Sequence, residues 1–358
     1  MDFDDAYTVP EWPRFLGRPK VMGCLRTQPE DFRVDELPQL WPCGEGHHLW
    51  LLVEKRGCNT DWVAGQLARA AGCATRDVGF AGLKDRHAVT TQWYSLPCPA
   101  RDLPAWEEWK IPDVRILQAR RHHKKLRRGV LQGNRFKVLV RSLEGDLNDL
   151  ELRLEQMKLR GLPNYFGPQR FGHCGANVRN GADWLFNGGR LPRAKRSIYV
   201  SAVRSFLFNH VLARRLQQNS WDSLLGGEVV MLDGTRSLFL SDCGDSGLQQ
   251  RCRDGDVHPT GPLPGAGGIQ PRCEAAALEA AVLEPYRSLL DALGEARIEG
   301  DRRSLRLRVR ELNWTLTGER LELNFALPPG AYATTLIDEL VSPRARTHLE
   351  NGLQEHLK

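Results

Sequence analysis

At 358 residues, with 41% hydrophobic and 26% charged side chains, the chain is long enough for two folded domains and has a globular composition. It has no run of about 18 apolar residues, which excludes a membrane-spanning helix. Its 50 Lys and Arg against 44 Asp and Glu give a formal charge of +6 and a pI near 8.9, a mild bias towards a polyanionic partner.

The N-terminus, Met1-Asp2-Phe3-Asp4-Asp5, lacks the basic and apolar regions of a secretory signal, so the protein is expected in the cytoplasm. None of the nine cysteines falls in a C-x-x-C pair, and their number is odd. This argues against a zinc knuckle and against a disulfide framework, and the thiols are expected to act as small buried hydrophobes. The His47-His48 and His122-His123 pairs lack the companion spacing of a metal site, so no metal is expected.

Taken in chain order, Asp31 to Asp35 alternates as a strand, with Phe32 and Val34 on one face. The apolar run Leu49 to Val53 predicts a second strand, ending at Glu54-Lys55-Arg56-Gly57. Asp61 is placed to cap a helix through Val63, Leu67 and Ala71 that closes near Gly72. Asn134 to Arg141 alternates again, with Phe136, Val138 and Val140 opposite Arg135, Lys137 and Arg141. Leu150, Leu154 and Met157 mark a helix from about 147 to 160, stopped by Gly161-Leu162-Pro163.

Beyond this stop the composition changes. Ser201 is read as the N-cap of a helix carrying Val203, Phe206, Leu207 and Val211. Ser241 to Pro271 reads as loop, and a further helix carries Ala277, Ala280, Ala281 and Leu283. Leu305, Leu307 and Val309 alternate with arginines as a strand, and Leu321, Leu323 and Phe325 form another after the turn Thr317-Gly318-Glu319-Arg320. Strands at both ends around a helical block predict a discontinuous main domain with a second one inserted.

Four segments can carry chemistry. In Gly79 to Thr90, two glycines precede Asp85, a short carboxylate held between the cations Lys84 and Arg86; nearby positive charge keeps such a group ionised, as a nucleophile requires, although on spacing alone the segment reads as an ordinary polar loop with a local ion pair. Arg120 to Arg128 packs six cations into nine residues, a field suited to phosphates, and leads into Gly133-Asn134-Arg135-Phe136, where Asn134 can read a base edge. Pro163 to Gly172 interleaves aromatics with Asn, Gln and Arg, for stacking or for a tight turn. Leu327-Pro328-Pro329-Gly330 forms a rigid turn before Tyr332, which is either a stacking platform or a core tyrosine.

Taken together, and in this order, Pro29-Glu30-Asp31-Phe32, Gly82 to Thr90, Gly133 to Phe136, Pro163 to Gly172, Asp256 to Pro262 and Leu327 to Thr335 resemble the TruD family of tRNA pseudouridine synthases along nearly the whole chain. The resemblance implies an α+β fold: a pseudouridine synthase core with a mixed, largely antiparallel sheet flanked by helices, plus an inserted family-specific α/β domain. On this division 1–160 and 305–358 form the catalytic domain and 161–304 the insertion. It implies isomerisation of uridine 13 of certain tRNAs, with tRNA as partner and with neither metal nor organic cofactor.

By the same resemblance Asp85 matches the catalytic aspartate, and Arg26 a basic position, commonly Lys, that pairs with it. Phe32, Asn134 and Tyr332 match substrate-contacting positions. Arg26 keeps the charge of the usual lysine with a different geometry, and Tyr332 stands where phenylalanine also occurs. The target nucleotide must leave its stack, at a cost of a few kcal/mol, which phosphate contacts help to offset. Lys84, Arg86, His87, Lys124, Lys125, Arg127 and Arg128 are the expected RNA contacts. A monomer is expected. The alternative, a catalytically silent RNA-binding protein or RNA chaperone on the same fold, is disfavoured by the intact Asp85 segment.

Overall fold

The computed structural model of the chain describes residues 6–99 and 104–344, which form two compact units. One comprises Pro19–Leu154 and the described residues from Val309 onward; the other comprises those up to Arg18 together with Glu155–Arg308. The N-terminal segment, expected with the first unit, thus belongs to the second. Trp12 and Phe15 pack there against Phe206 and Trp221, with ring centroids 6.3 and 4.9 Å apart, an apolar anchoring that outweighs sequence proximity.

The first unit is built on a ten-stranded mixed sheet. Its main path runs Arg310–Thr317, Arg320–Leu327, Leu131–Gly145, Phe32–Pro38, Val89–Pro97, His48–Arg56 and Val114–His122. Phe32–Pro38 pairs parallel with Val89–Pro97, while its other neighbour, Leu131–Gly145, is antiparallel. Alternation fixes the register: Phe136, Val138 and Val140 are buried alongside Leu321, Leu323 and Phe325, and Arg135 and Lys137 point out. A helix over Thr60–Ala70 lays Val63, Ala64 and Leu67 on Leu49, Leu51 and Val53. Its N-cap is Asn59 rather than Asp61.

In the second unit, Leu238–Leu240, Val229–Leu232, Val257–Leu263 and Asp301–Ser304 form a four-stranded sheet. The helix Arg193–Gln217 buries Val203, Phe206, Leu207 and Val211. Three sequence expectations are corrected here. That helix begins at Arg193, not Ser201, because its first turns are exposed and show no apolar periodicity. Ser241 to Pro271 is not loop throughout: it holds the helix Ser246–Arg253 and the strand Val257–Leu263, whose two prolines masked its strand character. The strand expected through Leu305 to Val309 is reduced to Arg306–Leu307, after a separate strand Asp301–Ser304, with Arg306 turned inward to His258 Nδ1 at 3.0 Å.

The cysteine reading is also corrected. Cys243 and Cys273, thirty residues apart in sequence, form a disulfide with Cα atoms 6.8 Å apart. Only Cys98 and Cys252 of the free thiols are buried, whereas Cys43 and Cys174 are exposed. No short spacing signals such a bridge. Among the described residues no group of three or more His, Cys, Asp or Glu is placed to hold a metal ion, and no helix is long and apolar enough to cross a membrane.

Candidate active site and nucleic-acid interface

Asp85 lies in the loop between the strands Gly79–Phe80 and Val89–Pro97. The loop can start there because Gly79 has no side chain: a Cβ would meet Leu126 O at 2.2 Å. Its backbone is then held at three residues by side chains beneath it. Gln92 Nε2 donates to Gly82 O at 3.0 Å, Lys84 N donates to Thr60 Oγ1 at 2.9 Å, and Lys55 Nζ donates to Asp85 O at 2.8 Å. A loop with its polar groups satisfied from below is rigid while its outer side chains stay free to meet a ligand.

The Asp85 carboxylate points outward, with 54% of its side chain exposed, and accepts a hydrogen bond from Arg26 Nη2 at 2.9 Å. Arg26 follows the strand Val21–Leu25 with a positive φ of 54° and lies 4.1 Å above the Phe32 ring. Holding a non-glycine residue there costs about 1 to 3 kcal/mol, and such strain gathers at functional sites. The strain and the stacking together aim the guanidinium at Asp85. With more than half of the carboxylate side chain exposed, any desolvation has to come with the substrate.

Lys84 does not face RNA as expected. Its ammonium turns inward to Glu36 Oε2 at 3.0 Å, with both side chains under 5% exposed. Glu36 also accepts from Trp93 N at 3.3 Å. Lys55, equally interior, donates to Cys58 O at 2.6 Å besides Asp85 O, and burial pushes its ammonium down to about 8. Neither Lys55 nor Glu36 is among the expected site residues, although the sequence carries a signal for both. Lys55 continues the inward parity of Leu49, Leu51 and Val53, and Glu36 that of Phe32 and Val34. A charge on the apolar side of an alternating strand must find a partner inside.

Asn134 pairs across the sheet with Glu36 on one side and Leu327 on the other, which sets it beside the Lys84–Glu36 pair. Its Oδ1 is buried and has no hydrogen-bond partner, an open acceptor. The preceding Gly133 allows the approach, since a Cβ would lie 2.3 Å from Leu327 O. Tyr332, half-buried, opens the helix Ala333–Leu340 after the proline turn. Phe32 is 2% exposed, edge-on to Phe136 at 6.1 Å and covered by Arg26. It therefore props Arg26 here rather than presenting a bare stacking face. Arg86 and His87 are exposed beside Asp85.

The basic run meets the same loop from the other end. Gly129 N donates to Ala81 O at 2.8 Å, and Arg128 stacks 3.8 Å from the Phe80 ring and lies 3.6 Å from Asp61. Trp50 Nε1 donates to Lys124 O at 2.9 Å, which fixes the backbone while the Lys124 side chain stays exposed, as does Arg127. Lys125 is partly spent, donating to Arg76 O at 2.7 Å. Arg121 is tied to the carbonyls of Gly46 and Cys98. The structure thus brings Arg26, Phe32, Asp85, Arg86, His87 and the 124–128 cations around one loop, with Asn134 on the adjoining strands.

A solved structure from Methanosarcina mazei, titled a putative tRNA pseudouridine synthase D, matches this fold with a TM-score of 0.75 over 95% of this chain and 98% of that one, at 20% identity. The fold is therefore that of a pseudouridine synthase core bearing an inserted domain. The family model described as tRNA pseudouridine synthase D (TruD) matches residues 14–187 and 175–340. Relatives named tRNA pseudouridine synthase D include one from Nitrosococcus oceani, 45% identical over 90% of this chain and 91% of its own. Another, from Methylococcus capsulatus, is 42% identical over 95% of both chains. The chain belongs to the tRNA pseudouridine synthase D family.

Proposed function

We propose that this chain isomerises uridine to pseudouridine in tRNA, at position 13, with Asp85 as its nucleophile. The observation that carries the reading is the exposed Asp85 carboxylate, 2.9 Å from Arg26 on a loop pinned by Lys55 at the aspartate's own carbonyl. The reaction exchanges the N1–C1′ bond of uridine for a C5–C1′ bond, releasing the C5 proton while N1 takes one up. The atoms balance without an external oxidant or reductant.

In this reading Asp85 attacks the nucleoside and holds one fragment while uracil turns, so it has to be ionised and fixed. Arg26 supplies the countercharge, and Lys55 and Gln92 hold the loop in register. The flipped uracil covers the carboxylate and brings the desolvation that the free protein lacks. Asn134, through its open Oδ1, accepts from the base edge, and Tyr332 packs on its face. Arg86, His87, Lys124, Arg127 and Arg128 hold flanking phosphates. The enzyme acts as a monomer in the cytoplasm.

Mass-spectrometric mapping of unmodified tRNA incubated with the protein tests the assignment. Pseudouridine at position 13 is expected. Bound but unmodified tRNA would instead indicate a silent RNA-binding protein, and pseudouridine elsewhere would correct the position.

A further inference from the structure

The second unit holds a cavity of about 430 Å³ along the start of the helix Arg193–Gln217. Its walls include Arg193, Arg196 and Arg204 and the hydroxyl residues Ser197, Ser201 and Ser205. The spacing puts both sets on one helix face, since residues three and four apart are neighbours. No acidic residue occupies the first turn, where Arg193, Lys195 and Arg196 crowd the end at which the helix dipole favours an anion. Like charges there oppose the fold unless an anion joins them.

The guanidinium groups at the cavity are only partly spent. Ser205, on the cavity wall, is 1% exposed. Arg204 donates through Nη2 to Leu263 O at 2.9 Å, while its Nε is buried without an acceptor. Asp301 and Glu299 act on Arg204 through space, but neither forms an ion pair with it among the described residues. Arg170 reaches Ser201 Oγ at 3.1 Å and likewise leaves a buried Nε without an acceptor.

We infer that this cavity binds a phosphate group, and that the phosphate belongs to the RNA backbone. A tetrahedral anion with several acceptor oxygens matches guanidinium forks and hydroxyls that line one face of the first three turns of a helix. A cation is repelled, and a planar carboxylate satisfies fewer of these donors. The rim favours a polymer over a free ion: Arg190, Arg193, Lys195 and Arg196 are all exposed, a basic approach that continues past the cavity. The inference rests on tRNA being the substrate and adds a contact in a unit distinct from that of Asp85.

The test measures tRNA binding across a salt series, without turnover. The exposed pair Arg193→Gln with Arg196→Gln should weaken binding about tenfold and reduce the salt slope by up to about two. At saturating tRNA, kcat should stay unchanged while KM rises. Arg204→Lys, which keeps the charge but loses the fork, should also weaken binding, with circular dichroism confirming that each variant is folded. Unchanged affinity and slope in folded variants would overturn the inference and leave the proposed reaction standing. Absence of tRNA binding by the parent protein would overturn both. If inorganic phosphate raised the melting temperature of the parent but not of Arg204→Lys, and tRNA affinity ignored every substitution, the site would take free phosphate and the RNA assignment would fall.

Discussion

The loop carrying Asp85 and the basic run at 120–128 look alike in sequence, each a string of cations around a turn, yet their charges are used in opposite ways. In the first, Lys84 is interior and paired with Glu36, and Lys55 from a neighbouring strand is interior and bonded to backbone. In the second, Lys124 and Arg127 stay exposed over a backbone fixed by Trp50. A charge without water must have a partner, so it becomes part of the architecture. A charge left in water adds little to stability and remains available to a phosphate. The Asp85 loop is therefore stiff below and open above.

The comparison is broken most sharply at Lys84. Lys84→Met leaves Glu36 buried and unpaired, so the account expects a loss of about 3 to 5 kcal/mol of stability in chemical denaturation. A change under about 1 kcal/mol would mean that Lys84 is a surface cation after all.

Lys55→Met comes next. It removes the ammonium from the Asp85 and Cys58 carbonyls, and leaving such acceptors bare costs about 1 to 3 kcal/mol. Because the Asp85 loop shifts while Lys124 and Arg127 stay in place, kcat should fall more than tRNA affinity. The pH dependence gives an independent reading. Burial holds the folded ammonium near 8, below its ordinary value of 10.5, so between these values the unfolded chain binds the extra proton. The Lys55 contribution to stability therefore rises as pH climbs from about 8 towards 10.5, and Lys55→Met should remove that rise from the difference curve. An identical pH profile in both proteins would contradict the burial argument.

The smallest effects on stability belong to the exposed cations. Lys124→Ala with Arg127→Ala should leave unfolding within about 0.5 kcal/mol of the parent, yet weaken tRNA binding and lower its salt slope by up to about two. Lys125→Ala should do less, since that side chain already bonds Arg76 O. Equal binding losses from Lys124 and Lys125 would erase the distinction drawn between them.

What was legible in the sequence follows from which forces leave a local trace. Alternation reveals the strands around Phe32, Phe136 and Leu323, a continuous apolar run the one around Leu49, and helical spacing the helix Leu147–Arg160, because sidedness of burial is written at fixed period. The helix Arg193–Gln217 was read eight residues short because its exposed start is cationic on every side. The strand Val257–Leu263 was hidden by its prolines. At the site, Asp85 and Arg26 were named from the family pattern, which spans the 59 residues between them. Lys84 was misplaced because sequence shows a charge but not the depth at which it sits. Lys55 and Glu36 are readable by parity, as charges on inward-facing strand positions.

The central claim is that Asp85 is the nucleophile while the exposed cations around it hold the RNA. Tritium release from tRNA carrying uridine labelled at C5, measured with Asp85→Asn beside the parent protein, tests it most directly. The account predicts no release above background from the variant, with tRNA affinity nearly intact. Substantial turnover by Asp85→Asn would contradict it.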